Sequence, residues 1–234
     1  MSRGLSALPA PAALLFDLDG TLVDTVGTRI EGWLRTFAEI GMPAEREHLA
    51  RLIGADGKRL AREVAAATGR VLDDEPAEAI DRRAGQLYDE LNTNPLPLPG
   101  ARQLLLDLQA GRLPWAIATS SRAEQVMGSV NALRLDRPPM IVDGSHVAHA
   151  KPAPDLLLLA AERLAVPRQR TWYVGDATWD MLAARAAAMV AIGVASGAVD
   201  SAALLGAGAD AVVGLDDLHA ELRRRAPCWA RFGP

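Results

Sequence analysis

The feature that most constrains this chain is residues 14–25, Leu-Leu-Phe-Asp17-Leu-Asp19-Gly20-Thr21-Leu-Val-Asp24-Thr25, where an apolar run ends in two carboxylates and a glycine. Residues 12–16 are apolar without interruption, the pattern of a strand buried on both faces, and such strands belong to parallel sheets covered by helices. Ligands of open α/β sheets bind outside the carboxyl ends of the strands, where Asp17 and Asp19 stand. Alternate residues of an extended segment point the same way, so both carboxylates can face one pocket, and Gly20 lets the chain turn sharply away. Two hard oxygen donors so placed point to a Mg²⁺ site.

The pattern then changes to a helical one. Ile30, Trp33, Leu34 and Phe37 recur at helical spacing, and three further helices are predicted over 45–52, 58–68 and 75–91 with no strand among them. Residues 26–94 therefore read as a small helical module. Asn94-Pro95-Leu96-Pro97-Leu98-Pro99-Gly100 reads as a stiff return linker. Beyond it helices over 101–110, 122–133, 153–164, 178–187, 201–205 and 215–225 alternate with strands over 115–118, 140–142, 171–174, 190–194 and 211–213. Such alternation implies a parallel sheet with helices on both faces. The fold class is α/β, a doubly wound, Rossmann-like core formed by 1–25 and 95–234, with the α-helical module inserted over the first strand's carboxyl end.

Composition narrows the partners. Half of the 234 residues are apolar, enough for a sizeable core, and the net charge of −4 gives no electrostatic footprint for nucleic acid or an anionic membrane. The single cysteine, Cys228, cannot form an internal disulfide, and no Cys/His cluster has zinc spacing. No signal-peptide core and no apolar run of about 18 residues is present, so a soluble cytoplasmic protein, monomer or homodimer, acting on small molecules is expected. The terminal aromatics Trp229 and Phe232 read as a loosely packed tail.

Only two lysines occur, Lys58 and Lys151, among many arginines. Lys151-Pro152 precedes a proline-initiated helix, where an ammonium suits a phosphoryl oxygen and a carboxylate together, or is simply solvated. Thr119 and Ser120 end a strand before a helix and are placed either to hold a phosphate oxygen or to cap that helix. Gly175-Asp176 ends another strand, and Asp180 lies one turn further on. It serves as a third metal carboxylate, as a helix-terminus charge, or as a group orienting Lys151.

Taken in order, Asp17-Leu-Asp19-Gly20-Thr21, Thr119, Lys151-Pro152 and Gly175-Asp176 with Asp180 resemble the four motifs of the haloacid dehalogenase-like phosphohydrolases that carry a helical cap. The resemblance spans nearly the whole chain. It implies that Asp17 attacks phosphorus, that Asp19 acts as acid and base, and that Mg²⁺ is held by Asp17, Asp19 through its backbone carbonyl, and Asp176. It also implies that Gly20, Thr119, Ser120 and Lys151 bind the phosphoryl group of a small phosphorylated metabolite. Phosphoglycolate phosphatase and sugar-phosphate phosphatases are the leading comparisons; a sugar-phosphate mutase or a non-catalytic binding protein stands as the alternative. Similar mutases carry a histidine where this chain has Arg29, which disfavours that activity and leaves Arg29 either to contact substrate or to be solvated. Lys58 and Arg59, in the turn Gly54-Ala-Asp56-Gly57-Lys58-Arg59, are the remaining candidate substrate contacts.

Overall fold

A computed structural model of the protein describes residues 4–225. The tail expectation for Cys228, Trp229 and Phe232 lies outside the described residues. In chain order the elements are β1 (Ala13–Phe16), β2 (Val23–Asp24), α1 (Val26–Glu39), α2 (Arg46–Leu52), α3 (Gly57–Ala67), α4 (Asp74–Leu91), β3 (Leu96–Pro97), α5 (Ala101–Ala110) and β4 (Trp115–Ala118). They continue through α6 (Ala123–Ala132), β5 (Ile141–Val142), α7 (Asp155–Arg163), β6 (Thr171–Gly175), α8 (Thr178–Ala186), β7 (Val190–Gly193), α9 (Ser201–Gly206), β8 (Ala211–Val212) and α10 (Leu215–Arg225). The elements anticipated from apolar periodicity all form, with ends within about two residues, the usual spread at fraying termini.

Six strands make one parallel sheet in the order β5-β4-β1-β6-β7-β8. Alternation along each strand divides the core into two layers. Leu14, Phe16, Ile117, Trp172, Val174 and Ile192 meet α5, α6 and α10 on one face. Leu15, Ala116, Tyr173 and Ala191 meet α7, α8 and α9 on the other. The sheet is therefore doubly wound. Strand order reverses about β1, which has β4 on one side and β6 on the other, and that reversal opens the crevice in which ligands of such sheets bind.

Helices α1 to α4 bury their own apolar cluster, built around Ile30, Trp33, Phe37, Leu49, Leu60, Val64 and Ile80. The return segment, read from sequence as a linker, does more than return. Leu96–Pro97 pairs antiparallel with Val23–Asp24, so the two crossings between sheet and helices form one short ribbon. Proline is tolerated there because the ribbon has only two strands and both are edges. Among the described residues no helix is long and apolar enough to cross a membrane.

Phe16 is fully buried and packs edge-on against Trp115, with ring centroids 6.3 Å apart. Phe16→Ala is expected to destabilise the protein by about 3–5 kcal/mol, read as a lower urea midpoint at unchanged slope.

Candidate active site

Three strand ends, one helix start and one loop converge. Asp17 and Asp19 follow β1, Thr119 to Ser121 follow β4, Asp176 follows β6, Asp180 lies in the first turn of α8, and Lys151 comes from the loop before α7. All four aspartates, Thr119 and Lys151 are buried. Lys151 Nζ donates to Asp17 Oδ1 at 2.7 Å and to Asp180 Oδ1 at 2.6 Å. The solvated reading of Lys151 therefore does not hold.

Asp180 is held by three protein donors, Lys151 among them. Its Oδ1 also accepts from the Tyr173 hydroxyl at 2.9 Å, and Oδ2 accepts from the Ala177 N–H at 2.9 Å. This geometry gives it the orienting relationship to Lys151 that was one of its three sequence readings. Asp176 accepts from Thr21 Oγ1 at 2.7 Å through Oδ1. Its Oδ2 is approached by two glycines: a Cβ on Gly20, whose φ is +83°, would stand 2.4 Å from it, and one on Gly197 only 1.8 Å away. Any side chain there would displace the carboxylate.

Asp17, Asp176 and Asp180 each offer an oxygen within 4.8 Å of the others, against one lysine. Burial pushes the Asp17 carboxyl up to about 7, with Asp180 adding to the rise and Lys151 opposing it. Burial, then Asp180 and Asp17, drives Asp176 well above the usual carboxylate range. Burial opposes the charge on Lys151, but Asp17 and Asp180 outweigh it and hold the ammonium charged. A buried, oxygen-only donor set whose carboxyls are raised first by burial and then by their mutual repulsion fits one hard divalent cation.

Asp19 is built differently. Its Oδ1 accepts from Thr25 Oγ1 at 2.6 Å and the Tyr88 hydroxyl at 3.1 Å. Its Oδ2 accepts from Arg29 Nη2 at 2.7 Å and Ser121 Oγ at 2.7 Å. Burial alone would raise this carboxyl; Arg29, Thr25 and Ser121 together outweigh burial and hold it below the usual range. Arg29 and Tyr88 belong to α1 and α4, so the helical module reaches Asp19 directly.

A cavity of about 50 Å³ lies over these groups, lined among others by Asp17, Asp19, Arg29, Trp33, Thr119, Ser120, Gln125 and Lys151. Thr119 is buried in that lining and starts no helix: the position preceding α6 is Arg122, which excludes the capping alternative. Ser120 Oγ donates to the Gly54 carbonyl at 3.2 Å, tying the strand end to the helical module. Arg29 is not solvated. Lys58 and Arg59 are not in the cavity: Asp56 caps α3, accepting from the Arg59 N–H at 3.1 Å, and turns both side chains outward. Lys58 then pairs with Glu78 at 3.9 Å and Arg59 with Glu63 at 3.5 Å, beside a separate surface groove. Sequence reasoning missed Ser121, Gln125 and Tyr88. Ser121 was available as the third hydroxyl of the Thr-Ser-Ser run, whereas Tyr88 sits in the last turn of α4 without a local signal.

Residues 14–194 match the family described as haloacid dehalogenase-like hydrolase. The chain belongs to the haloacid dehalogenase-like hydrolases. Two relatives are a fructose-1-phosphate phosphatase of Escherichia coli, 31% identical over 78% of this chain and 96% of the relative, and a phosphoglycolate phosphatase of Xanthomonas campestris, 31% identical over 78% and 82%. A crystal structure of a hydrolase from Pseudomonas syringae is 35% identical, covering 91% of this chain and 98% of its own with a TM-score of 0.86.

In this haloacid dehalogenase-like site the raised carboxyls fix the sign of a pH effect. With a folded value near 7 against the ordinary 3.8, Asp17 binds more protons folded than unfolded across that interval, and Asp176 acts in the same direction. Stability of the metal-free protein therefore falls as pH rises through it. Thermal melts in chelator from about pH 5 to about pH 7.5 should show a declining Tm, and Asp176→Asn should flatten the decline.

Proposed function

We propose that the protein is a Mg²⁺-dependent phosphatase of small phosphorylated metabolites, with residues 26–94 as a cap over a core made of 1–25 and 95–234. The observation that carries the reading is the placement of Asp17. A buried carboxylate lines a small cavity, 2.7 Å from a buried lysine, with a second carboxylate two residues on. The phosphatase names of the two relatives support the same reaction, and their substrates place sugar phosphates and phosphoglycolate among the esters to test.

The reaction runs in two halves. Asp17 attacks phosphorus in line, the phosphorus–oxygen bond to the leaving group breaks, and Asp19 delivers a proton to the departing oxygen. Water then attacks the aspartyl-phosphate, its proton passes to Asp19, and inorganic phosphate leaves with Asp17 restored. Dividing the hydrolysis this way replaces one difficult step by two easier ones, and proton transfer by Asp19 contributes about 10²- to 10⁴-fold. Lys151 and Thr119 hold the phosphoryl oxygens, Lys151 being kept in place by Asp180. Mg²⁺ held by Asp17 and Asp176 would neutralise charge that the protein's own cations do not cover.

The cap must open for turnover. The pocket over Asp17 is small, about 50 Å³, so a sugar phosphate needs residues 26–94 to move aside to enter. The ribbon of Val23–Asp24 with Leu96–Pro97 carries both crossings and is the natural hinge.

Asp17→Asn should reduce hydrolysis of 4-nitrophenyl phosphate by at least about 10³-fold; activity surviving that change would overturn the nucleophile assignment. Mg²⁺ should raise Tm near neutral pH in the wild type and fail to do so in Asp176→Asn, a readout independent of turnover.

A further inference from the structure

A carboxylate offers about four acceptor positions, and all of those on Asp19 are filled by protein donors. In this arrangement the carboxylate has no position left from which to give a proton to a leaving oxygen or take one from water. One donor must withdraw before Asp19 can act. Thr25 and Tyr88 hold Oδ1; Arg29 and Ser121 hold Oδ2 and line the cavity.

Arg29 is the donor with reason to move. Its guanidinium lies over the Tyr88 ring, 3.7 Å from the centroid, and is largely enclosed between cap and core. Nη1 donates to Gln125 Oε1 at 3.1 Å, and Nη2 is shared between Asp19 and Ser121 Oγ, the latter at 2.6 Å. Its Nε is buried without any hydrogen-bond partner among the described residues. An orphaned buried donor is unfavourable, so this arrangement is not the one in which Arg29 is best satisfied. An incoming phosphoryl group brings anionic oxygens into a space walled by Asp17 and Asp19, and Arg29 is the one cation lining it that is not held between two carboxylates.

We propose that Arg29 is an exchangeable latch: it occupies Asp19 while the closed site is empty and passes its guanidinium to an anionic oxygen of the substrate, which frees Asp19 for proton transfer. The exchange makes the acid/base group available only when a phosphorylated ligand is present. Arg29 thereby also selects for an anion at the leaving-group side of the cavity. The proposal rests on the phosphatase reading in taking a phosphoryl group as the anion.

A double-mutant cycle tests it, with inorganic phosphate as the probe, Mg²⁺ present, and binding read by calorimetry. If Asp19 competes with phosphate for Arg29, Asp19→Asn should tighten phosphate by about tenfold in the Arg29 background but by less than about twofold in Arg29→Met, couplings of the size linked sites usually show. An equal gain in both backgrounds would mean that removing the Asp19 charge is sufficient and would overturn the latch. The cycle repeated with Arg29→Gln guards against misfolding of the methionine variant, with the same two outcomes. Because the cycle reads binding, it separates the two claims. Phosphate coupling without turnover of any ester would refute the phosphatase reading and leave the latch standing, whereas absence of phosphate binding in every variant would refute both.

Discussion

Burying four carboxylates within one crevice is the constraint on which the rest of the site depends. Asp17, Asp19, Asp176 and Asp180 are all withdrawn from water, and an ion loses several kcal/mol of hydration on such a transfer. The protein meets this cost differently on the two sides. On one side Lys151 is held between Asp17 and Asp180 while Asp176 has only a threonine hydroxyl, so negative charge remains in excess and carboxyl values rise. On the other, Asp19 receives a guanidinium and three hydroxyls, and its value falls. Two carboxylates separated by one residue are thus driven in opposite directions, the arrangement by which one site supports distinct acid, base and nucleophilic roles.

The asymmetry follows from where the donors come from. Lys151, Asp180, Tyr173 and Thr21 all belong to the sheet and its connections, so the Asp17 side is complete whatever the helical module does. Two of the four donors to Asp19, Arg29 and Tyr88, arrive on α1 and α4. Half of the hydrogen bonds to Asp19 thus come from the helical module.

What was legible in the sequence was the part that local pattern determines. The uninterrupted apolar run before Asp17 and the strands ending at Thr119 and Gly175 are buried on both faces, so their hydrophobicity marks the strand and the residue after it marks the ligand-facing end. The ordered motifs then placed Asp17, Asp19, Thr119, Lys151, Asp176 and Asp180 in one crevice, where they are found. Arg29 was left between substrate contact and solvent because its partner depends on how α1 docks. Lys58 and Arg59 show what sequence leaves open: the turn is rich in glycine and base, but the side-chain directions depend on the Asp56 cap, which sets the helical phase with Lys58 beside Glu78 and Arg59 beside Glu63. The ribbon joining Leu96–Pro97 to Val23–Asp24 was hidden because a two-residue strand containing proline carries no periodicity.

The contacts that seat the module are of a kind that lets it leave. Arg122 reaches Glu78 and Asp81 at 2.8 Å each, the Asp56 N–H donates to the Lys151 carbonyl at 2.8 Å, and Trp179 Nε1 donates to the Arg51 carbonyl at 2.9 Å. The ion pairs are partly exposed, and such pairs contribute about 0–1 kcal/mol, while each neutral hydrogen bond contributes about 0.5–1.5 kcal/mol. The apolar cluster of the module is largely its own, so little buried hydrocarbon is exposed when it lifts. Opening then costs a few kcal/mol, within reach of what one ligand contributes by binding the two states differently. The module is held to the core by polar contacts that water can replace rather than by a shared hydrophobic core, and the most central of them are made to Asp19.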